Sequence, residues 1–177
     1  MSGKPLRIGV CGVGTVGLAT IEILRDHCET LLARSEQAMV VSHVGARREH
    51  PNHDYGEARV SRDVFDVARD PDVDALVELI GGTTVAYDLI KLAIQQGKHV
   101  VTANKALIAE HGNELVAMAE AAGVQIRYEA AVAGGIPVIK VLRESLAANV
   151  VTEVVGIING TGNFILTEMS TKGRAFD

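Results

Sequence analysis

Leu6-Arg-Ile-Gly-Val-Cys-Gly-Val-Gly-Thr-Val-Gly17 decides the fold of this chain. An apolar run of strand character enters a glycine turn, and an amphipathic helical pattern (Val16, Ala19, Ile21, Ile23, Leu24, Leu31, Leu32) follows it. A glycine at 12 permits the tight turn, one at 14 lets a pyrophosphate approach the backbone, and one at 17 lets the helix pack on its strand. The helix beginning near Thr15 then offers unpaired N–H groups and a positive dipole end to phosphates. The loop Gly12, Val13, Gly14, Thr15, Val16 and Gly17 is therefore a candidate dinucleotide site. Glycine turns also precede helices for packing alone, but here the strand before and the helix after supply the context that the motif requires.

Outward from this stretch, apolar runs alternate with helical patterns, which predicts an α/β fold with a Rossmann-like, doubly wound parallel sheet. Strands are expected near 6–11, 38–45, 74–80, 98–102 and 124–128, and helices near 15–33, 62–68, 84–96, 104–121 and 136–148. Gly97, Asp70-Pro71 and Gly123 mark boundaries. The polar segment 47–60 reads as a surface excursion near the adenosine end. Near 150 the pattern changes: Val150–Ile158 reads as a long strand of a different sheet, followed by a helix from Asn159-Gly-Thr to about Thr171. The expected division is 1–135 for a nucleotide-binding domain and 136–177 for the start of a second, α+β substrate and dimerisation domain.

Composition bounds the function. The chain has 177 residues, 47% of them hydrophobic, and a net charge of −5, so it can bury a full core and lacks the basic excess of a nucleic-acid surface. No apolar run reaches the ~18 residues of a membrane span, and no secretory leader pattern opens the chain; a cytoplasmic protein without membrane partners is expected. Cys11 and Cys28 form no metal spacing and no evident disulfide.

The end of the second strand normally selects the cofactor: a carboxylate binds the ribose 2′-OH of NAD, and arginine accommodates the 2′-phosphate of NADP. Ser42-His-Val-Gly-Ala-Arg-Arg48 has no acid before Glu49, so Arg47 and Arg48 favour NADP with NAD possible, unless they are simply solvated. His43, within the strand, reads as a packed residue rather than a ligand. Glu78 lies in an apolar strand, where a carboxylate must be paired or hydrogen-bonded. Gly81 and Gly82 at that strand's end either admit the cofactor or make a tight turn. Lys105 opens a helix, where the dipole disfavours a cation, and that mismatch points to a functional role.

Three ordered motifs then carry a family resemblance: Val100-Val-Thr-Ala-Asn-Lys-Ala-Leu-Ile108, Glu129-Ala-Ala-Val-Ala-Gly-Gly-Ile-Pro-Val138 and Gly156-Ile-Ile-Asn-Gly-Thr-Gly-Asn-Phe164. Behind the glycine fingerprint, they closely resemble the homoserine dehydrogenases. The resemblance implies NAD(P)-dependent interconversion of homoserine and aspartate semialdehyde, in the route to threonine, methionine and isoleucine. It implies that Lys105 touches cofactor and substrate, and that Gly160 and Thr161 face the substrate, although a helix N-cap also explains Thr161. It further implies a sodium site made by Glu129 and the carbonyls of Val132, Gly134 and Ile136, where the alternative is an ion-paired carboxylate and an ordinary turn. A homodimer is expected of the full-length form. Family members add acidic ligands and a second lysine beyond this chain, so a truncated chain that binds nucleotide but turns homoserine over poorly is expected. Aspartate-semialdehyde dehydrogenase would need a cysteine nucleophile in its substrate domain, which neither cysteine provides. Another reductase of the same fold and a non-catalytic nucleotide-binding module remain as alternatives.

Overall fold

The computed structural model describes residues 3–48, 53–157 and 159–176. They fall into two compact units, Met1–Gly134 and Gly135–Asp177.

The first unit is built on strand β1 (Leu6–Cys11), which leads through the glycine turn into α1 (Thr15–Asp26) and α2 (Cys28–Ser35). Then follow β2 (Met39–Gly45), β3 (Arg59–Ser61), α3 (Val64–Arg69), β4 (Ala75–Glu78), α4 (Thr84–Gln95), β5 (His99–Thr102), α5 (Lys105–Ala121) and β6 (Ile126–Arg127). The six strands form one sheet in the order β3-β2-β1-β4-β5-β6, all parallel. The order reverses between β1 and β4, and in sheets of this kind ligands bind in the crevice outside the strand ends at that reversal.

Alternation along the strands sends side chains into two cores. Ile8, Val10, Val44 and Val77 pack with Val13 and Ile21 on the α1 side. Leu76 and Val100 pack with Val67, Leu89, Ile90, Leu107 and Leu115 of α3, α4 and α5 on the other. A Cβ at Gly9 would lie 2.4 Å from a Val67 methyl, so β1 needs glycine there for α3 to seat.

Polar groups pin the edge where the strands begin. Arg7 donates from Nη2 to Asp74 Oδ1 at 2.9 Å and from Nε to Asp74 Oδ2 at 3.0 Å, and it also pairs with Asp72. His43 is buried, with Nδ1 2.6 Å from Asp70 Oδ2 and Nε2 2.7 Å from Ser61 Oγ, which agrees with the packed role expected of it. The buried Lys98 ammonium donates to the carbonyls of Asp70 at 2.6 Å and Val73 at 2.8 Å, and burial lowers its pKa.

Several expected boundaries are corrected. The 15–33 helix is broken at His27, because Arg25-Asp26-His27 interrupts the apolar stripe after Leu24. The 47–60 excursion ends in the short edge strand β3, paired to β2; its residues 49–52 lie outside the described ones. The third expected strand stops at Glu78 rather than 80, since the Ile80 and Gly81 amides turn back onto the Glu78 carboxylate.

In the second unit α6 (Val138–Lys140) runs into a wide turn, Val141–Ser145, and α7 spans Gly160–Lys172. The expected helix over 136–148 is thus only partly formed, and none of these elements buries a side chain. The expected strand at Val150–Ile158 is not formed: residues 150–157 have no regular structure, and Ile158 lies outside the described residues. Strand hydrogen bonds need a ladder partner, and the described elements of residues 135–177 are all helical turns.

The Arg7 guanidinium, bonded to Asp74, holds that carboxyl down at about 2. The stabilisation is complete above the ordinary carboxylate value near about 3.9 and is lost as pH falls toward 2. In thermal melts, Arg7→Met should therefore lie below the parent at pH 7 and lose less stability between pH 4 and 2. Parallel pH profiles for the two proteins would show that the pair contributes nothing.

Candidate nucleotide-binding and active site

The turn after β1 is held by backbone contact. Gly12 has φ +99°, and a Cβ there would lie 2.6 Å from the Leu79 carbonyl oxygen. A Cβ at Gly17 would lie 1.9 Å from the Gly12 carbonyl oxygen. These two glycines therefore serve close packing of strand and helix. Gly14 differs: it is the N-cap of α1 at φ −72°, makes no side-chain cap, and a Cβ there would meet nothing within 4 Å. Its open side, beside the uncapped amides of a twelve-residue helix, fits a phosphate approaching the backbone. Val13 is buried beneath the loop, while Thr15 and Val16 are exposed at its rim.

The neighbouring strand ends converge on this loop. The Gly12 amide donates to the Gly45 carbonyl at 3.0 Å, which brings the end of β2 beside it; buried Ala46 and then exposed Arg47 and Arg48 follow. Gly81 and Gly82 take φ of +73° and +74° at the end of β4, and no neighbour crowds either. That leaves a bare backbone turn next to the Gly12 contact with Leu79. The Cys11 thiol, by contrast, is buried, and desolvation pushes its pKa up, which disfavours the thiolate.

Glu78 is fully buried, at 0% exposure. Its Oε1 accepts from the amides of Ile80 at 2.9 Å and Gly81 at 3.2 Å, and its Oε2 accepts from Thr102 Oγ1 at 2.6 Å. Thr102 Oγ1 in turn accepts from the Asn104 amide at 3.0 Å. Asn104 caps α5 through Oδ1, which accepts from the Leu107 amide at 3.1 Å, while its Nδ2 donates to the Gly82 carbonyl at 2.6 Å. Lys105 is the first residue of α5 and is exposed. Residues 12–17, 47–48, 81–82 and 105 thus share one end of the sheet. The sequence reading required a partner for Glu78 but missed Thr102 and Asn104. Their signal was two polar side chains in the buried approach to Lys105.

Glu129 opens a 3₁₀ turn, Glu129–Ala131, and is half-buried. Val132 follows, and Ala133, which is not glycine, holds φ +51° before Gly134. Ile136 belongs to the second unit, where its carbonyl accepts from the Val138 amide at 2.7 Å. Also in that unit, Gly160 and Thr161 form the exposed start of α7. The cap is Asn159, whose Oδ1 accepts from the Gly162 amide at 2.8 Å, so capping does not account for Thr161. Among the described residues, no group of three or more His, Cys, Asp or Glu side chains could hold a metal ion. None of their helices is long and apolar enough to cross a membrane.

A six-stranded parallel sheet with a glycine turn at its reversal point defines a dinucleotide-binding α/β domain. The chain belongs to the homoserine dehydrogenase family: residues 12–129 match the family's NAD-binding domain, and residues 137–177 match the homoserine dehydrogenase domain that follows it. A homoserine dehydrogenase of Pseudomonas aeruginosa is 54% identical over 173 residues, and one of Neisseria gonorrhoeae is 47% identical over 174. Each alignment covers 98% of this chain and 40% of the relative. The crystal structure of a homoserine dehydrogenase from Thiobacillus denitrificans superposes with a TM-score of 0.91 at 48% identity, covering 98% of this chain and 41% of that one. The chain therefore spans about 40% of the length of the curated relatives it matches.

The glycine geometry separates packing from binding. Gly14→Ala should fold with its thermal midpoint nearly unchanged yet lose NADPH affinity by about tenfold or more. Gly17→Ala should lower the midpoint, at a cost of about 1–3 kcal/mol or more. Equal NADPH binding by Gly14→Ala and parent, in a fluorescence titration, would remove Gly14 from the site.

Proposed function

We propose that Met1–Gly134 is the nucleotide-binding domain, and Gly135–Asp177 the start of the substrate domain, of an NAD(P)-dependent dehydrogenase that interconverts L-homoserine and L-aspartate 4-semialdehyde. The observation that carries this reading is Lys105, a cation at the first turn of α5 on the same sheet end as the open Gly14 loop. A cation is disfavoured at a helix N-terminus unless a negative charge develops nearby. An ammonium beside a reacting carbonyl stabilises oxyanion character, the help that reduction of an aldehyde needs.

When bound, the nicotinamide supplies or accepts hydride at C4. Around it, the amides at the start of α1 and the open face of Gly14 would hold the pyrophosphate. The Gly81–Gly82 backbone would let the ring lie close to the sheet end, and Lys105 would orient the substrate oxygen and balance its charge. Gly160 and Thr161, with a hydroxyl left over from capping, suit the polar groups of an amino acid. Arg47 and Arg48, with no carboxylate among the described residues that close the β2 strand, favour NADP.

The proposal includes a sodium ion held by Glu129 with the carbonyls of Val132, Gly134 and Ile136. The left-handed Ala133 supports it, because such a conformation costs roughly 1–2 kcal/mol and persists where function demands it. Exchange of choline for sodium at fixed ionic strength should raise the thermal midpoint, and Glu129→Gln should abolish the rise; no rise in the parent counts against the site. A cytoplasmic homodimer of the full-length form completes the reading. The exposed Val150, Val155 and Ile157 are apolar side chains that a second copy would cover in that form, and light scattering of the full-length form at the monomer mass would contradict it.

Calorimetric titration tests the nucleotide assignment. NADPH should bind at least about tenfold tighter than NADH, and Arg47→Ala with Arg48→Ala should erase the difference. Equal affinities in the parent would demote the arginines, and binding of neither nucleotide would contradict the assignment.

A further inference from the structure

We propose that Thr102 and Glu78 are positioning residues that hold Lys105 in register with the Gly81–Gly82 turn. This rests on the reading of Lys105 as a cofactor and substrate contact, and it deepens that reading.

A fully buried carboxylate is costly to desolvate and is retained only where hydrogen bonds compensate it. Every hydrogen bond seen at Glu78 goes to the two segments that frame the proposed nicotinamide end. Two are the Ile80 and Gly81 amides of the β4 turn, and the third is the Thr102 hydroxyl one residue beyond Val101 in β5. The hydroxyl passes the constraint on by accepting the Asn104 amide. Asn104 closes the circuit, capping α5 with one side-chain atom and tying the Gly82 carbonyl with the other.

The circuit therefore runs from one glycine turn through the buried carboxylate to the helix end and back to the same turn. It fixes the backbone on both sides of Lys105's origin without touching the lysine itself. A cap alone would need only Asn104, and the strand ends alone would need no charge. Asn104 links its own position to the β4 turn directly through the Gly82 carbonyl, and Glu78 adds a second, buried link, accepting from the Ile80 and Gly81 amides with one oxygen and from the Thr102 hydroxyl with the other.

A double-mutant cycle on the 177-residue chain tests this, with the NADPH dissociation constant and the thermal midpoint as readouts. Thr102→Val removes the hydroxyl link at nearly constant volume and should weaken NADPH about fivefold; Lys105→Ala should weaken it by a similar factor. The double variant should bind no more weakly than Lys105→Ala alone, and Thr102→Ser should restore affinity to within about twofold of the parent. Independent losses, multiplying to about twenty-fivefold, or a lowered midpoint with unchanged affinity in Thr102→Val, would make the network purely structural and overturn the proposal. Unchanged NADPH binding in Lys105→Ala would instead overturn the Lys105 reading, and the proposal with it. Should Thr102→Val fail to fold, Thr102→Ala, which also removes the hydroxyl, takes its place in the same cycle, with the same coupling to Lys105 expected and independence again contradicting it.

Discussion

The closest constraint in this molecule is the contact of α1 with the strand end that launches it. There is no room for a single carbon at Gly17, where a Cβ would lie 1.9 Å from the Gly12 carbonyl oxygen, or at Gly12, where it would meet Leu79 at 2.6 Å. Because these two positions carry no side chain, the helix starts immediately above the sheet and its uncapped amides stand at the reversal point between β1 and β4. Had the turn been longer, the helix end, the β4 turn and the start of α5 would no longer share one small region. Gly14, the one glycine of the three with empty space around it, is the position that the packing leaves open.

Both edges of the sheet carry buried polar groups, but they are used differently. Where the strands begin, Arg7 with Asp74 and Lys98 with two carbonyls tie segments together, and farther along β2 His43 joins Asp70 to Ser61 at the close of β3. Where the strands end, Glu78, Thr102 and Asn104 bind backbone that surrounds open space, and they leave Lys105 exposed. The first arrangement contributes to stability and its pH dependence. The second shapes the backbone around that open space in advance.

Much of this was legible in the residues. Strand and helix order follows from hydrophobic periodicity, the tight turn after β1 from glycine spacing, and the partnered state of Glu78 from the cost of burying a carboxylate. What escaped was non-local. The early end of β4 depends on a carboxylate reaching forward to two amides. The edge strand β3 is fixed only by its pairing with β2. The break at His27 falls at Arg25-Asp26-His27, a polar interruption short enough that Leu31 and Leu32 beyond it read as a continuation of the same helix. Val150–Ile157 carries strand-forming residues, but propensity without a ladder partner does not make a strand. Asn159, not Thr161, caps α7, a distinction that two capping residue types separated by one glycine cannot settle by sequence alone.

The proposed function stands on nucleotide binding at the strand ends around the Gly12–Gly17 turn. The most direct test is a ¹H–¹⁵N correlation spectrum of the chain titrated with NADPH. Shifts should be confined to the amides of residues 12–17, the close of β2, residues 80–82 and the first turn of α5, with Arg7, Asp74 and Lys98 unmoved. Shifts centred on Arg7, Asp74 and Lys98, at the opposite edge of the sheet, would contradict it.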